Sequence, residues 1–419
     1  MLDVLRRHRD VRFVLAAQLL SALGSWLLIP AAPYYVLQAT HSAAASAMAF
    51  AAESAPAVLV GPLAGVLVDR IDRRQAMILA DVARVGAVLL MLLALDPGQL
   101  WALFLGLAIE SVFTQLAQPA RSALLPQIVG RGPDLSTCNA LSGAGLAAIQ
   151  VGAAPLGGLL YAAFGFQAAV LTDAASYSLS ALLLLAVHPR GATGLASDTR
   201  GWRGVADDVK AGGREIKNQP AVRSVTVTSC LFLLGNGTAD ALLVAYLGGR
   251  LHLPPSTLGL LFAGLGLASL LSAPFAGRLV DRLAPRALVT GALLAVSTSF
   301  AVLFNLPSLP VAAVVFMTLG PAVVAYTVAV DTLLQRATPD ELLGRVLAGY
   351  RTANKTATLL GELGAVGLVT AFGLIVPLDV AVVAVALSAA SALLLPANSL
   401  TTVRADTEAP RGDTTPFSG

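Results

Sequence analysis

Six ionisable side chains stand inside runs of sequence that are otherwise apolar: Glu53, Glu110, Asp240, Arg351, Lys355 and Glu362. Charge in an apolar medium is expensive, so each of them is a functional candidate by position alone. A carboxylate in such a place can take up and release a proton as its surroundings change, which is the elementary step of proton-coupled work. Glu53 and Glu110 are the leading candidates for it. The competing reading is a structural lock, in which such a carboxylate pairs with Arg351 or Lys355. Thr114 and Gln115 follow Glu110 one helical turn on, and Arg351, Lys355 and Glu362, spaced four and seven apart, share one helical face. Asp240 suits either a polar cavity or the outer headgroup level. Asp81 and Arg84, three apart, are expected to satisfy each other or nearby arginines, and Asp173 to serve helix packing or capping.

Other chemistries lack their residues. There is no GxxxxGK[ST] loop for nucleotide phosphates and no HExxH pair for zinc, so neither ATP-driven pumping nor metalloprotease work is expected of the chain. The four histidines, His8, His41, His188 and His252, stand near the ends of the apolar runs, and no Ser-His-Asp set suggests itself. Cys138 and Cys230 lack a CxxC pattern and read as small buried residues, with no disulfide or metal. No enzyme activity, cofactor or metal is expected.

The surrounding composition explains why charge is so conspicuous. Of 419 residues, 56% are hydrophobic and 12% charged, and mean hydropathy is +0.77, where a soluble domain carries roughly 25% charge. A chain this long cannot hide so much apolar surface from water, so its solvent is lipid. Residues 13–52, 135–172 and 287–330 contain no Asp, Glu, Lys or Arg, each stretch long enough for two spans of ~20 residues. About twelve spans result, the fourth ending near residue 119. Residues 1–188 form one set of six, 189–221 a polar linker with an amphipathic helix around 203–218, 222–395 a second set of six, and 396–419 a disordered tail. Arg6, Arg7 and Arg9 before an apolar run imitate a signal peptide, but the run continues to about Leu37 and reads as an uncleaved first helix.

If the helices alternate from a cytoplasmic amino terminus, 23 of the 27 Lys and Arg residues fall on the cytoplasmic side, the asymmetry that sets membrane orientation. Both termini are then cytoplasmic. The basic residues come in short blocks without interleaved aromatics, so the net charge of +3 speaks for orientation and against nucleic acid. Composition rich in Ala, Leu and Arg suggests a bacterial source and hence the inner membrane.

The two halves are alike. Pro62-Leu63-Ala64-Gly65-Val66-Leu67-Val68-Asp69-Arg70 aligns without gaps to Pro274-Phe275-Ala276-Gly277-Arg278-Leu279-Val280-Asp281-Arg282, which predicts an all-α integral membrane protein built as a parallel six-plus-six repeat with a central cleft. The segment Gly65-x-x-x-Asp69-Arg70-x-Asp72-Arg73-Arg74 resembles the signature loop of the major facilitator superfamily, with Asp72 where the pattern has Gly. A weaker copy keeps Gly277, Asp281, Arg282 and Arg286. An anion such as Asp69 at a helix end gains by facing a helix amino terminus or an arginine, a contact that can form in one state and break in another, while Gly65 permits close helix approach. The plain alternative for Arg70, Arg73 and Arg74 is topology and lipid headgroups.

The run Gln118-Pro119-Ala120-Arg121-Ser122-Ala123-Leu124-Leu125-Pro126, the Asn139-Ala140 pair and Gly344-Arg345-Val346 are similar to the branch holding enterobactin and macrolide exporters. Gly152-Ala153-Ala154-Pro155-Leu156-Gly157-Gly158 resembles the antiporter motif of the fifth helix, with its proline one place late. The resemblance implies outward transport of a small hydrophobic compound (drug, antibiotic or siderophore) driven by proton entry, and a central cavity lined by the second, fourth, seventh and eleventh helices. Glu53, Glu110, Gln115, Asp240, Tyr350, Arg351, Lys355 and Glu362 then fall on or near that cavity. Among the aromatics, Trp26, Tyr34, Tyr35, Tyr246, Tyr326 and Tyr350 are candidates to stack on a flat substrate. Interfacial anchoring explains Tyr34, Tyr35 and Tyr246 equally well, which leaves Trp26, in mid-span, as the foremost. An importer or lysolipid-type facilitator on the same fold is the alternative within this class, and a non-transporting sensor or scaffold the alternative outside it.

Overall fold

The computed structural model describes residues 2–69, 71–130, 132–188 and 213–395. The expected tail, Arg70, and the expected linker as far as residue 212 lie outside the described residues; residues 213–218 are helical. Among the described residues there is no strand. After a short turn, Leu2–Arg7, the chain forms α1 (Arg9–Thr40), α2 (Ala43–Asp69), α3 (Arg73–Leu90), α4 (Trp101–Val129), α5 (133–164) and α6 (166–185). The second half repeats the series as α7 (Pro220–Val244), α8 (Pro255–Arg282), α9 (Pro285–Asn305), α10 (Leu309–Ala337), α11 (Asp340–Phe372) and α12 (Ile375–Ala392). Ten described segments are long and apolar enough to cross a membrane. The two remaining helices are α11, diluted by Arg351, Lys355 and Glu362, and α5, which runs into α6. Together the helices make the expected twelve-helix fold.

Packing repeats with the sequence. α3 packs on α4 as α9 packs on α10; α2 on α4 as α8 on α10; and α3 on the α5–α6 run as α9 on α12. The turns repeat too. Gly165, between α5 and α6, has φ 74° and ψ −175°, and Gly373, between α11 and α12, has φ 75° and ψ −174°, a backbone region that is essentially reserved for glycine. Interior prolines at Pro30, Pro33, Pro119, Pro155, Pro274 and Pro321 are compatible with spanning helices, where neighbouring helices satisfy the freed carbonyls. Large apolar side chains such as Leu59, Phe164, Leu182, Val314 and Phe372 are more than half exposed, as a lipid-facing surface requires.

The two bundles meet through α2 against α11 and through α5 against α8. We call the end where α1 begins, rich in arginine, the basic end, and the other the distal end. At the distal end α5 and α8 touch backbone to backbone: a Cβ added to Gly158 would stand 2.5 Å from the Pro255 carbonyl oxygen and 3.1 Å from Gly259 Cα. Gly248 is similarly close against Tyr34, and halfway down a Cβ on Gly266 would lie 3.1 Å from Val151 Cα. Toward the basic end a Cβ on Gly277 of α8 would meet nothing within 4 Å, and Gly143 of α5 lines a cavity of the first bundle. The cleft is therefore shut at the distal end.

Gly165→Ala and Gly373→Ala are each expected to cost about 1–3 kcal/mol, because alanine must hold the same glycine-only backbone angles. Thermal unfolding of the detergent-solubilised protein should show a lowered midpoint for each, whereas Gly143→Ala, in open space, should leave it near that of the parent.

Candidate functional site

Where the halves meet, polar groups cross the cleft. Ser54 Oγ on α2 donates to Glu362 Oε1 on α11 at 2.9 Å, and Lys355 Nζ donates to Gln115 Oε1 on α4 at 2.9 Å. Glu362 is 4% exposed, and its second oxygen, Oε2, has no hydrogen-bond partner. Glu53, one residue before Ser54, is within electrostatic reach of Glu110 on one side and Glu362 on the other, and Glu362 is within reach of Asp240. Asn236 Nδ2 holds Asp240 Oδ2 at 2.6 Å. Four carboxylates thus run from the first bundle into the second, from α4 through α2 and α11 to α7. Arg351 and Lys355 are exposed one turn apart on α11, nearer the basic end than Glu362. Glu53 and Glu110 share a small cavity of about 30 Å³ with Ser25 and Phe50, room for a bridging water.

Behind Glu110 the first bundle holds a buried network. Tyr177 Oη, on α6, donates to Glu110 Oε1 at 2.6 Å and stands 2.8 Å from Ser25 Oγ. The Arg84 guanidinium lies 4.4 Å from the centre of the Tyr177 ring and is bonded to Asp81 and, at 3.2 Å, to Ser21 Oγ. Ser180 donates to the other Asp81 oxygen at 2.7 Å. Asp173, fully buried, accepts from Ser176 Oγ at 3.3 Å and leaves Oδ2 without a partner. Gly24 makes room for it, since a Cβ there would lie 2.3 Å from Asp173 Oδ1. Arg84 thus pairs with Asp81 and lies within electrostatic reach of Glu110 and Asp173.

These placements refine the expectations. Glu110 is tied to Tyr177 in its own bundle, and Lys355 reaches Gln115; in this conformation neither makes the cross-cavity pair of the structural-lock reading. Asp81 and Arg84 pair with each other. Asp173 belongs to the Arg84 network and does more than cap a helix. Tyr350 donates to Ser229 Oγ at 3.0 Å inside the second bundle, as Tyr326 does at 2.8 Å, and is 8% exposed. Tyr246 donates to the Leu303 carbonyl at 2.6 Å and is fully buried. Tyr34 meets Tyr161 edge-on, and Tyr35 stacks on Phe166. Trp26 lines a cavity within the first bundle. Ser54, Asn236 and Tyr177 escaped the sequence reading: they carry no charge, and the partners of Ser54 and Tyr177 lie far away along the chain, although Asn236 stands only one turn from Asp240.

At the basic end the start of α3 is held by its own chemistry. Asp72, the departure from the superfamily pattern, is the amino-terminal cap of α3, accepting from the Gln75 amide at 2.9 Å. Arg74 donates through Nε to the Leu184 carbonyl at 2.8 Å and through Nη2 to Leu185 at 2.7 Å, where a cation meets the negative end of α6. Arg73 Nε is buried without a partner. Asp69 is the last residue of α2, while Asp281 is the last but one of α8; Arg282 is exposed and Arg286 half-buried. Gly157 of the fifth-helix motif packs against the Leu27 backbone, and Gly158 makes the distal contact with Pro255.

Twelve helices in two repeated bundles around a polar cleft define a membrane carrier. A sequence profile of the Major Facilitator Superfamily matches residues 14–361 and 225–417, and the chain belongs to that family, as a multi-pass membrane protein. It is 28% identical over 380 residues to the enterobactin exporter EntS of Escherichia coli O1:K1 / APEC, covering 87% of each chain. It is 27% identical over 372 residues to the MFS-type transporter YfiS of Bacillus subtilis (strain 168), covering 86% of each. Its fold matches a bacterial homologue of the iron transporter ferroportin in the inward-facing state with a TM-score of 0.71 and 19% identity, covering 92% of this chain and 98% of that one. Against an outward-facing structure described as such a homologue, the TM-score is 0.58 at 18% identity, with the same coverage.

Asp72→Ala should cost about 1 kcal/mol of stability by removing the α3 cap, whereas Asp72→Gly, which restores the superfamily residue, should cost only about a few tenths. Paired thermal melts of the two variants check this.

Proposed function

We propose that this protein is a secondary active exporter, coupling proton entry to the outward movement of a small, largely hydrophobic compound by alternating access. The observation that carries the reading is the series Glu110, Glu53, Glu362 and Asp240, which spans both bundles at the place where two hydrogen bonds, Ser54 to Glu362 and Lys355 to Gln115, join them. Rocking of the bundles breaks such bonds, and the carboxylates then change partners; that is the condition for a site to load a proton on one side and lose it on the other. Glu110 and Glu53 are the coupling groups in this reading, and Gln115, Asp240, Arg351, Lys355 and Glu362 the polar part of the substrate site.

The Lys and Arg distribution supports a basic end and both termini in the cytoplasm, in a bacterial inner membrane, so the closed distal end faces outward in this reading. The loop of Gly65, Asp69, Arg70, Arg73 and Arg74, with its partner set Gly277, Asp281, Arg282 and Arg286, latches the basic end when the carrier opens outward. The EntS relative supports the direction and suggests siderophores and hydrophobic antibiotics as the first compounds to try. An importer or facilitator on the same fold is the alternative, since fold alone does not set direction; the nucleoside transporter NupG also matches this fold, with a TM-score of 0.71. A scaffold has no reason to bear the insertion cost of so many buried charges.

In proteoliposomes under an imposed pH gradient, a panel of hydrophobic antibiotics and siderophores should include one whose movement is opposed by proton flux. Glu110→Gln and Glu53→Gln are each expected to abolish uphill transport while leaving substrate exchange; full uphill transport in either variant removes that residue from the coupling role. Substrate movement without proton flux would favour the facilitator.

A further inference from the structure

A second cavity, of about 570 Å³, lies within the first bundle among α1, α3, α4, α5 and α6, and no residue of the second bundle lines it. Its volume is that of a small-molecule site. Asp81, Arg84 and Arg121 are the charged residues on its wall. Asp81 is consumed by Arg84 and Ser180, and Glu110 opens on the separate small cavity it shares with Glu53. Arg121 is left. It stands eight residues before the end of α4, inside a helix that continues to Val129, and not in a loop after residue 119. It is only part-exposed and has no ion-pair partner among the described residues.

Two further wall residues point to the same kind of guest. Gln18 is 6% exposed; its Oε1 accepts from Ser142 Oγ at 2.8 Å, while its Nε2 donor has no partner. Trp26, also on α1, supplies a broad aromatic face. An unpaired guanidinium, an unused amide donor and an indole together ask for a flat apolar body bearing an oxyanion.

We propose that this cavity is a binding site for an aromatic carboxylate, with Arg121 as counter-ion, Gln18 as a neutral donor and Trp26 as the packing face. Taking that anion as cargo rests on the exporter reading; the binding site itself does not, so the test reads equilibrium binding without any gradient. The full chain in nanodiscs, with Trp101→Phe and Trp202→Phe leaving Trp26 as the sole tryptophan, is titrated with 4-nitrobenzoate, neutral 4-nitrobenzamide and cationic 4-nitrobenzylamine, each a quencher of indole fluorescence. The carboxylate should quench saturably and bind about tenfold or more tightly than the amide, with the amine weakest. Arg121→Gln should erase the preference for the carboxylate, and Arg121→Lys should restore part of it. Equal affinity for carboxylate and amide in the parent, or an unchanged preference in Arg121→Gln of parental melting temperature, overturns the proposal. Should Arg121→Gln fail to fold, the parent's carboxylate-to-amide ratio and the Arg121→Lys variant still decide. Loss of gradient-driven export with this preference intact would count against the exporter reading alone.

Discussion

A guanidinium buried inside a membrane bundle must have its charge answered by fixed partners, and much of the first bundle is arranged around that need. Arg84 takes its charge balance from Asp81, its polar contacts from Ser21 and the Ala80 carbonyl, and the face of Tyr177 as a cushion. Each of those partners is then fixed in turn. Tyr177 can cushion Arg84 only if its hydroxyl is satisfied, and Glu110 and Ser25 do so. Asp173 can pack beside them only because Gly24 has no side chain. Four helices are registered by one buried cation, and removing a member leaves others stranded, at a cost well above that of a surface contact.

Among the described residues, the second bundle buries no arginine in this way. Its buried tyrosines make neutral contacts, Tyr326 and Tyr350 on Ser229 and Tyr246 on the Leu303 carbonyl, while four of its charges, Asp240, Arg351, Lys355 and Glu362, lie along α7 and α11, the two helices that pack on α2 of the first bundle. The repeat therefore duplicates the frame and divides the work: the first half buries a charge network of its own, and the second offers its charges to the cleft between them.

Much of this was legible in the sequence because lipid leaves few options. Helices had to be apolar for their whole length, so charge-free stretches marked them, and the repeated Pro-to-Arg segment gave the six-plus-six order. Glu53, Glu110, Asp240 and Glu362 stood out because a membrane makes any carboxylate conspicuous. What stayed hidden was pairing across distance: nothing local to Tyr177 shows that Glu110, 67 positions earlier, is its acceptor, and nothing near Ser54 points to Glu362. Asp72 departed from the superfamily pattern for a reason visible only once α3 had a defined first turn. The end of α4 was misjudged because Arg121 read as a loop charge, although Pro119 and Pro126 do not stop a spanning helix.

The distal closure is made of glycine backbone against backbone, Gly158 on Pro255 and Gly259, with Gly248 against a tyrosine ring. Contacts of this kind carry no net charge, so their strength is indifferent to ionic screening, which acts over about 8–10 Å between charges at physiological salt. The arginine-rich opposite end is the reverse case, since bringing its bundles together crowds like charges whose repulsion depends on the counter-ions around them. Salt and anionic headgroups therefore bear on how closely the bundles can approach at the basic end, while the glycine seam at the distal end is indifferent to them.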